Sequence, residues 1–160
     1  MGFYNLAQIC INGHIITSCF DTAPELRKNF CSICGAKTIT HCSSCNAPIH
    51  GKYEVPDMFI IGEPPDVDSY CYNCGEPYPW TEARLQSAEL VIKEEDAFDE
   101  ALKYSLISSL PDVISETPKT NLAIVRMKKA LLKAGSVTAE CLRQFIIDFG
   151  CELIKSQLGL

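Results

Sequence analysis

Eight cysteine and histidine residues in the N-terminal half are spaced as metal ligands, and this spacing constrains the fold more than any other feature of the chain. They form four short pairs: Cys10 and His14, Cys31 and Cys34, Cys42 and Cys45, and Cys71 and Cys74. A tight turn places the two donor atoms of a pair on one side of a loop, and two such pairs complete a tetrahedron around zinc. The four pairs therefore predict two structural Zn²⁺ ions.

Ten cysteines could instead indicate the disulfide framework of a secreted protein. Seven of the ten lie in the four pairs, and three of these pairs are C-x-x-C. Residues 1–6 have no basic segment followed by an apolar run, so they do not predict a signal peptide. In a reducing compartment, C-x-x-C pairs indicate metal binding more often than disulfides. The pattern favours metal ligands and, by default, a cytoplasmic protein.

The spacing leaves two features of the sites open. In sequential pairing the first pair joins the second and the third joins the fourth, whereas in a cross-brace the first joins the third and the second joins the fourth. Sequential pairing is favoured because each site then closes a short loop. The last ligand of the first site is expected to be His14, with Cys19 or a water molecule as alternatives. A water would leave that site open to catalysis.

Sequence patterns of known enzyme sites do not accompany these pairs. The zinc-enzyme patterns H-x-E…P-C-x-x-C and H-E-x-x-H are absent from the sequence, as are the Walker, Rossmann and G-x-S-x-G motifs. The two remaining histidines, His41 and His50, stand beside the third pair and are expected to be exposed or to support the ligands. We therefore expect a protein that is not an enzyme.

The sequence predicts two domains of different class. Residues 1–80 are expected to form a double zinc-ribbon module, a small metal-stabilised β structure of tandem ribbons whose short strands flank the turns. A hairpin turn is predicted at Gly51-Lys52-Tyr53 and a loop over 56–69. After Trp80, apolar residues recur at steps of three and four, so residues 81–160 are expected to form an all-α region of about three helices.

Local signals give the expected ends of these helices. Thr81 is expected to cap the first helix, which then ends at Leu110-Pro111. Thr117-Pro118 is expected to begin the second helix and Gly135 to end it. The third helix follows the apolar positions that extend from Leu142 to Ile154.

Charge is distributed unevenly along the chain, whose formal net charge is −6. Residues 1–80 carry eight acidic and four basic side chains, residues 81–118 carry nine and three, and residues 119–160 carry three and seven. A basic patch is therefore possible only in the last segment. The residues that could contact a polyanion are those of the predicted second helix: Lys119, Arg126, Lys128, Lys129 and Lys133. An ordinary exposed face is the favoured interpretation.

Two further groups of side chains are candidates for contacts with a partner. Five carboxylates of the predicted first helix are expected to form a solvated face, with a docking surface for a basic partner or for the second helix as the alternative: Glu94, Glu95, Asp96, Asp99 and Glu100. Around the last pair, Tyr70, Tyr72, Tyr78 and Trp80 could engage a partner. Packing onto the ribbon is favoured for Trp80.

The N-terminal half resembles a known family. Cys10-x-x-Gly13-His14, followed by Phe30-Cys31-x-x-Cys34-Gly35-Ala36, resembles the bacterial double-zinc-ribbon pattern. The segment 2–10, the third pair and the run from Tyr70 to Thr81 are similar to a bacterial family of uncharacterised proteins with N-terminal zinc ribbons and a helical C-terminal region. This resemblance implies zinc binding and sequential pairing, and it implies no established activity.

Together these features favour a zinc-binding adaptor that presents a surface to a protein partner and performs no catalysis. The alternative is a nucleic-acid-binding zinc-ribbon protein that uses the basic second helix, which would bind with a steep dependence on salt. The sequence shows no apolar run of the length that a membrane span needs, so no membrane partner is expected.

Overall fold

The computed structural model describes residues 2–56 and 67–160. The loop predicted over 56–69 therefore lies almost wholly outside the described residues. The chain divides into two compact units, Met1–Ala83 and Arg84–Leu160. The first contains short strands and the second is helical, which confirms the predicted fold class. None of the helices in the described ranges combines the length and the apolar character that a membrane span requires.

Short antiparallel strands build the described part of the first unit. Strand β1 (Phe3–Leu6) pairs with β5 (His50–Glu54), and β2 (Gln8–Cys10) lies between β3 (Ile15–Thr17) and β4 (Thr38–Ile39). A single turn of 3-10 helix covers Pro24–Leu26. Strands this short bury little surface, so the structure of this unit depends largely on the connecting turns.

The core of the first unit includes metal-ligand residues. Ile9 in β2 pairs with Ile15 of β3 and Ile39 of β4, and its side chain is buried. Around it pack the buried side chains of Ala7, Ile49, Tyr78 and Trp80 together with the sulfurs of Cys42 and Cys71. One of the two predicted sites is therefore part of the hydrophobic core.

The predicted hairpin turn at Gly51-Lys52-Tyr53 is wrong, because all three residues lie inside β5. The amide of Lys52 donates a hydrogen bond of 2.9 Å to the carbonyl of Ser18, which brings the Ser18 backbone against Gly51. A Cβ atom at position 51 would overlap the Ser18 carbonyl oxygen. The glycine marks a close backbone approach, a role that the sequence alone does not distinguish from a turn.

Six helices are described after the metal-bearing turns, where the sequence predicts about three: α1 (Pro79–Glu94), α2 (Glu100–Ile107), α3 (Leu110–Ile114), α4 (Thr120–Lys133), α5 (Ser136–Phe149) and α6 (Glu152–Leu158). The first predicted helix is split because the Asp99 side chain caps α2, accepting a 2.8 Å hydrogen bond from the amide of Leu102. Pro111 does not end a helix but lies in the first turn of α3, where a missing amide proton costs nothing.

Two other predicted helix ends also move, and one predicted helix is divided. Helix α1 begins at Pro79, so Thr81 lies in its first turn and does not cap it. Gly135 does not close the second helix, because Ala134 follows the end of α4 and Gly135 is the N-cap residue of α5. The third predicted helix is divided at Gly150 into α5 and α6. Apolar periodicity continues across these short breaks, which is why it predicts fewer and longer helices.

Candidate metal centres

The first ligand pair lies at the end of β2. Gly13 has a φ of 90°, which turns the chain so that the amide of Cys10 donates a 3.0 Å hydrogen bond to the carbonyl of His14. The amide of His14 in turn lies 3.2 Å from the sulfur of Cys10 and donates to it. This turn presents the Cys10 sulfur and the Nδ1 atom of His14 side by side, 3.4 Å apart.

The three C-x-x-C pairs share one backbone turn. In each, the residue after the second cysteine has a left-handed conformation, and its amide donates to the carbonyl of the first cysteine. These residues are Gly35 (φ 72°, 2.8 Å), Asn46 (φ 58°, 3.0 Å) and Gly75 (φ 76°, 2.8 Å). Glycine has no steric cost in this conformation, and asparagine tolerates it better than most residues. The turn directs the two sulfurs of each pair to the same side.

These four turns meet as two groups of donor atoms. The first group contains Cys10, His14, Cys31 and Cys34, and the second contains Cys42, Cys45, Cys71 and Cys74. Within each group the four donor atoms lie within 4.8 Å of one another. The pairs therefore join sequentially and do not form a cross-brace. Cys19, His41 and His50 belong to neither group.

The spacing inside each group matches a tetrahedral ion. A Zn–S bond of about 2.3 Å implies S–S edges of about 3.8 Å, and a Zn–N bond of about 2.0–2.1 Å implies S–N edges of about 3.5 Å. The Nδ1 atom of His14 lies 3.4 and 3.7 Å from two of the sulfurs of its group. The S–S distances are 3.8 Å for Cys10–Cys34, 3.8 Å for Cys42–Cys74 and 3.7 Å for Cys45–Cys71.

The same distances exclude disulfides within these groups, because a disulfide bond is only about 2.05 Å long. All ten cysteines are unbridged. Three thiols with one imidazole, and four thiols, are the donor sets of structural metal sites. The two groups are accordingly metal-binding sites, the first with three cysteines and one histidine and the second with four cysteines.

Backbone amides favour the thiolate form that binds metal. Burial alone would raise the pKa of Cys31, but two amides of its own turn outweigh burial and lower that pKa. Burial is likewise opposed by two turn amides at Cys71, together with hydrogen bonds from neighbouring thiols, and the pKa of Cys71 falls to about 6. Burial dominates at Cys10, so the pKa of that thiol is raised. The turns therefore favour the metal-binding thiolate at Cys31 and Cys71 more than at Cys10.

Two asparagines that the sequence analysis did not identify contact the sulfurs. The side-chain amide of Asn12 donates to the sulfur of Cys34 at 3.5 Å, and that of Asn73 donates to the sulfur of Cys45 at 3.5 Å. Each asparagine stands two residues after the first ligand of its own pair and reaches the opposite pair of its group. That shared position is the sequence signal that could have revealed them.

The basic residues of α4 are not equivalent. Arg126 is half-buried and donates to the carbonyl of Ser105 at 3.1 Å and to the hydroxyl of Ser109 at 2.6 Å. Lys133 forms an ion pair of 3.3 Å with Asp99. The other three candidate polyanion contacts, Lys119, Lys128 and Lys129, are exposed. Two of the five predicted contacts therefore have structural partners inside the second unit.

The carboxylate cluster also has internal partners. One oxygen of Glu95 accepts the amide of Ala97 at 3.0 Å, and the other accepts the amide of Gly135 at 3.1 Å. The hydroxyl of Thr138 and these amides lower the pKa of Glu95. Glu95 therefore holds Gly135, the residue before α5, and places a negative charge at the N-terminus of that helix. The cluster is therefore partly structural and not simply a solvated face.

The aromatic residues near the last pair have different environments. Trp80 is fully buried and donates from Nε1 to the carbonyl of Asp68 at 2.8 Å, which agrees with the expected packing. Tyr78 is buried and stacks on Trp80, so it is not available to a partner. Tyr72 is 53 % exposed and Tyr70 is partly buried. Tyr72 is the candidate contact residue of this set.

Comparison with known proteins identifies the family of the chain. No curated protein and no solved structure matches the chain. The sequence model of a family described as "Uncharacterized protein conserved in bacteria (DUF2321)" matches residues 3–158. The match spans both units and confirms the resemblance that the N-terminal motifs indicate. The chain belongs to this family of bacterial proteins.

Proposed function

We propose that the protein is an adaptor without enzymatic activity, whose first unit holds two structural Zn²⁺ ions and presents a surface to a protein partner. Zinc is supported by the donor sets, since tetrahedral sites of thiolate and imidazole suit this ion. When bound, such ions supply folding free energy to a segment that buries too little core by itself.

The structural rather than catalytic role rests on the number of donors. Each group supplies four protein donor atoms, which is the number that structural zinc uses, whereas catalytic zinc keeps one position for water or substrate. A hydrolytic role would require one of the eight ligand residues to dissociate from its ion and leave a position for water.

The observation that carries the adaptor proposal is the exposure of apolar side chains on the metal-bearing turns. Phe30 is 64 % exposed, and Ile33, between the two sulfurs of the second pair, is 74 % exposed. Metal binding would hold these side chains on a rigid backbone, which lowers the entropy cost of docking. Exposed apolar side chains mark protein contact surfaces when they form a patch, and Phe30 and Ile33 stand only three residues apart.

Native mass spectrometry of the protein, purified gently from its bacterial host before and after a strong chelator, tests this proposal. We expect two zinc ions and a co-purifying polypeptide. The variant Ile33→Ser should lose the polypeptide while keeping both ions. Val137→Ser, which changes a side chain of similar exposure (76 %) in the helical unit, should keep both the polypeptide and the ions.

Other outcomes contradict specific parts of the proposal. One zinc ion or none would overturn the assignment of the sites. Bound nucleic acid in place of a polypeptide would favour the alternative function, in which Lys119, Lys128 and Lys129 contact phosphates. That alternative further requires affinity to fall steeply with salt, because phosphate contacts release counterions.

A further inference from the structure

A groove in the first unit is lined by none of the eight metal-ligand residues. It has a volume of about 400 Å³ and is open to solvent. Strand β1 contributes Tyr4 and Leu6 to its walls, and the other wall residues include Asp21, His41, Pro48 and His50. The groove therefore combines aromatic rings, apolar surface and one carboxylate.

A column of stacked rings runs beside this groove. The rings of Tyr4 and His50 are nearly parallel, 4.2 Å apart with an interplanar angle of 3°. The ring of Tyr72 stacks on His50 at 4.0 Å and 16°, and Tyr53 lies against Tyr4 at 4.8 Å. The three tyrosines are 41–53 % exposed, so the column is a surface feature rather than a core contact.

The carboxylate of Asp21 is held in place in the wall of the groove. Its Oδ2 atom accepts the amide of Leu6 at 3.1 Å. Among the described residues, Oδ1 has no donor. The second oxygen can therefore accept a hydrogen bond from a ligand in the groove.

The net charge of the first unit determines whether a positively or a negatively charged ligand is attracted to the groove. Residues 1–80 carry eight acidic and four basic side chains. Loading the sites makes this region more negative by three charges, because seven thiolates face two divalent ions. A negatively charged surface repels polyanions and attracts cationic groups. Stacked rings that could otherwise hold nucleic-acid bases thus lie on a surface that disfavours a phosphate backbone.

We propose that this groove and ring column bind an arginine side chain in a basic segment of a partner protein. A guanidinium is planar and stacks on aromatic faces, and its parallel N–H groups match a carboxylate such as Asp21. The inference rests on the proposed adaptor function, for which it names the chemistry of the partner.

Titration of the full metal-loaded chain with a defined peptide tests the inference. The probe is an acetylated and amidated dodecapeptide with four arginines among glycines and serines. The control peptide carries citrulline, the neutral isostere of arginine, at the same four positions. At low ionic strength the arginine peptide should bind at least about tenfold more tightly. The amide resonances that shift in NMR spectra should be those around the groove.

Matched variants distinguish binding in the groove from attraction by the overall charge of the unit. Asp21→Asn keeps an acceptor for the Leu6 amide but removes the charge, and it should weaken binding about fivefold. Tyr72→Leu should weaken it by a similar factor. Glu25→Gln removes one exposed negative charge of the same unit outside the groove and should change affinity less than about twofold.

Equal affinity for the two peptides, equal losses in Asp21→Asn and Glu25→Gln, or shifted resonances away from the groove would each overturn the inference. Its failure is distinguishable from that of the adaptor function. If Ile33→Ser releases a native partner while Asp21→Asn and Tyr72→Leu retain it, the groove is not the contact and the adaptor function stands. If no native polypeptide is found, the peptide titration still shows whether the groove binds arginine.

Discussion

The side-chain amide of Asn73 lies 3.5 Å from the sulfur of Cys45 and donates a hydrogen bond to it, just as the amide of Asn12 does to Cys34. Each asparagine stands two residues after the first ligand of its own pair, Asn12 in the first pair of its group and Asn73 in the second pair of its group. Each amide neutralises part of the charge on a thiolate and orients that ligand for the ion.

Loss of this contact should weaken metal binding. We expect Asn73→Ala to lower the affinity of the second site about tenfold, the lower end of the range for residues that orient metal ligands. Competition with a chromophoric chelator measures this change. Ser43→Ala, an exposed change within the third pair, serves as control and should leave the affinity unchanged. Equal affinity for Asn73→Ala and the wild-type chain would contradict the assigned role.

Replacement of His14 should remove one ion. Because His14 is the single nitrogen donor of the first group, His14→Ala leaves three thiols, and metal analysis of the purified chain should find one ion in place of two. His41→Ala and Cys19→Ser change residues outside both groups and should retain two ions. If Cys19→Ser loses an ion and His14→Ala does not, the assignment of the fourth ligand is wrong.

Gly51 should tolerate no side chain. A Cβ atom there would overlap the carbonyl oxygen of Ser18, so Gly51→Ala must displace β5 or the backbone around Ser18. We expect the free energy of unfolding to fall by about 1–3 kcal/mol. Urea denaturation measures the change, with Lys52→Ala, at the exposed next position, as a control expected to stay within about 0.5 kcal/mol.

Glu95 should protect the start of α5 in a pH-dependent manner. The Thr138 hydroxyl and backbone amides hold the pKa of Glu95 below its unfolded value near 4.5. The charged carboxylate therefore stabilises the folded state above about pH 4.5, and this stabilisation is lost as the pH falls through the lowered pKa.

Hydrogen exchange of the α5 amides at residues 136–139 measures this effect. Relative to wild type, Glu95→Gln should reduce their protection factors at pH 6, and the difference should shrink below pH 4. Glu94→Gln, an adjacent exposed change, should have no such effect. A difference between Glu95→Gln and wild type that is independent of pH would contradict the role of the charge.

Arg126 should matter for folding more than for polyanion binding. Its guanidinium donates to the carbonyl of Ser105 and to the hydroxyl of the buried Ser109, and Arg126→Ala would leave these acceptors with fewer donors. We expect a loss of about 1–2 kcal/mol in urea denaturation followed by circular dichroism. Lys128→Ala, an exposed change on the same helix, should stay within about 0.5 kcal/mol. Equal stabilities of the two variants would show that the contacts of Arg126 contribute nothing.

The metal ligands could be predicted from the sequence because a turn of four or five residues fixes the geometry of its own two donors. All eight predicted ligands lie in the two groups, and both the short loops and the family resemblance favour the sequential pairing that is found. The asparagine contacts could not be predicted with equal ease, since Asn12 and Asn73 reach sulfurs about twenty to thirty residues away, and only the folded backbone brings them together.

Helix boundaries and the role of single glycines were the least predictable features. Asp99 caps α2, and Glu95 holds the residue before α5. In the sequence, however, both residues continue the apolar and polar pattern of α1. The sequence predicts a turn at Gly51, whereas the glycine is required by the close backbone of Ser18, 33 positions away. Local propensity does not report contacts of this range.

Sequential pairing of the ligands has a consequence for synthesis of the chain. The first group is complete once Cys34 has left the ribosome, before any residue of the second group has emerged. A nascent chain can therefore capture its first ion early and fold around it before the ligand cysteines of the second group have emerged. At no stage of synthesis need all seven ligand thiols be free together, which limits oxidation and mispairing at the moment when a cysteine-rich chain is most exposed to both.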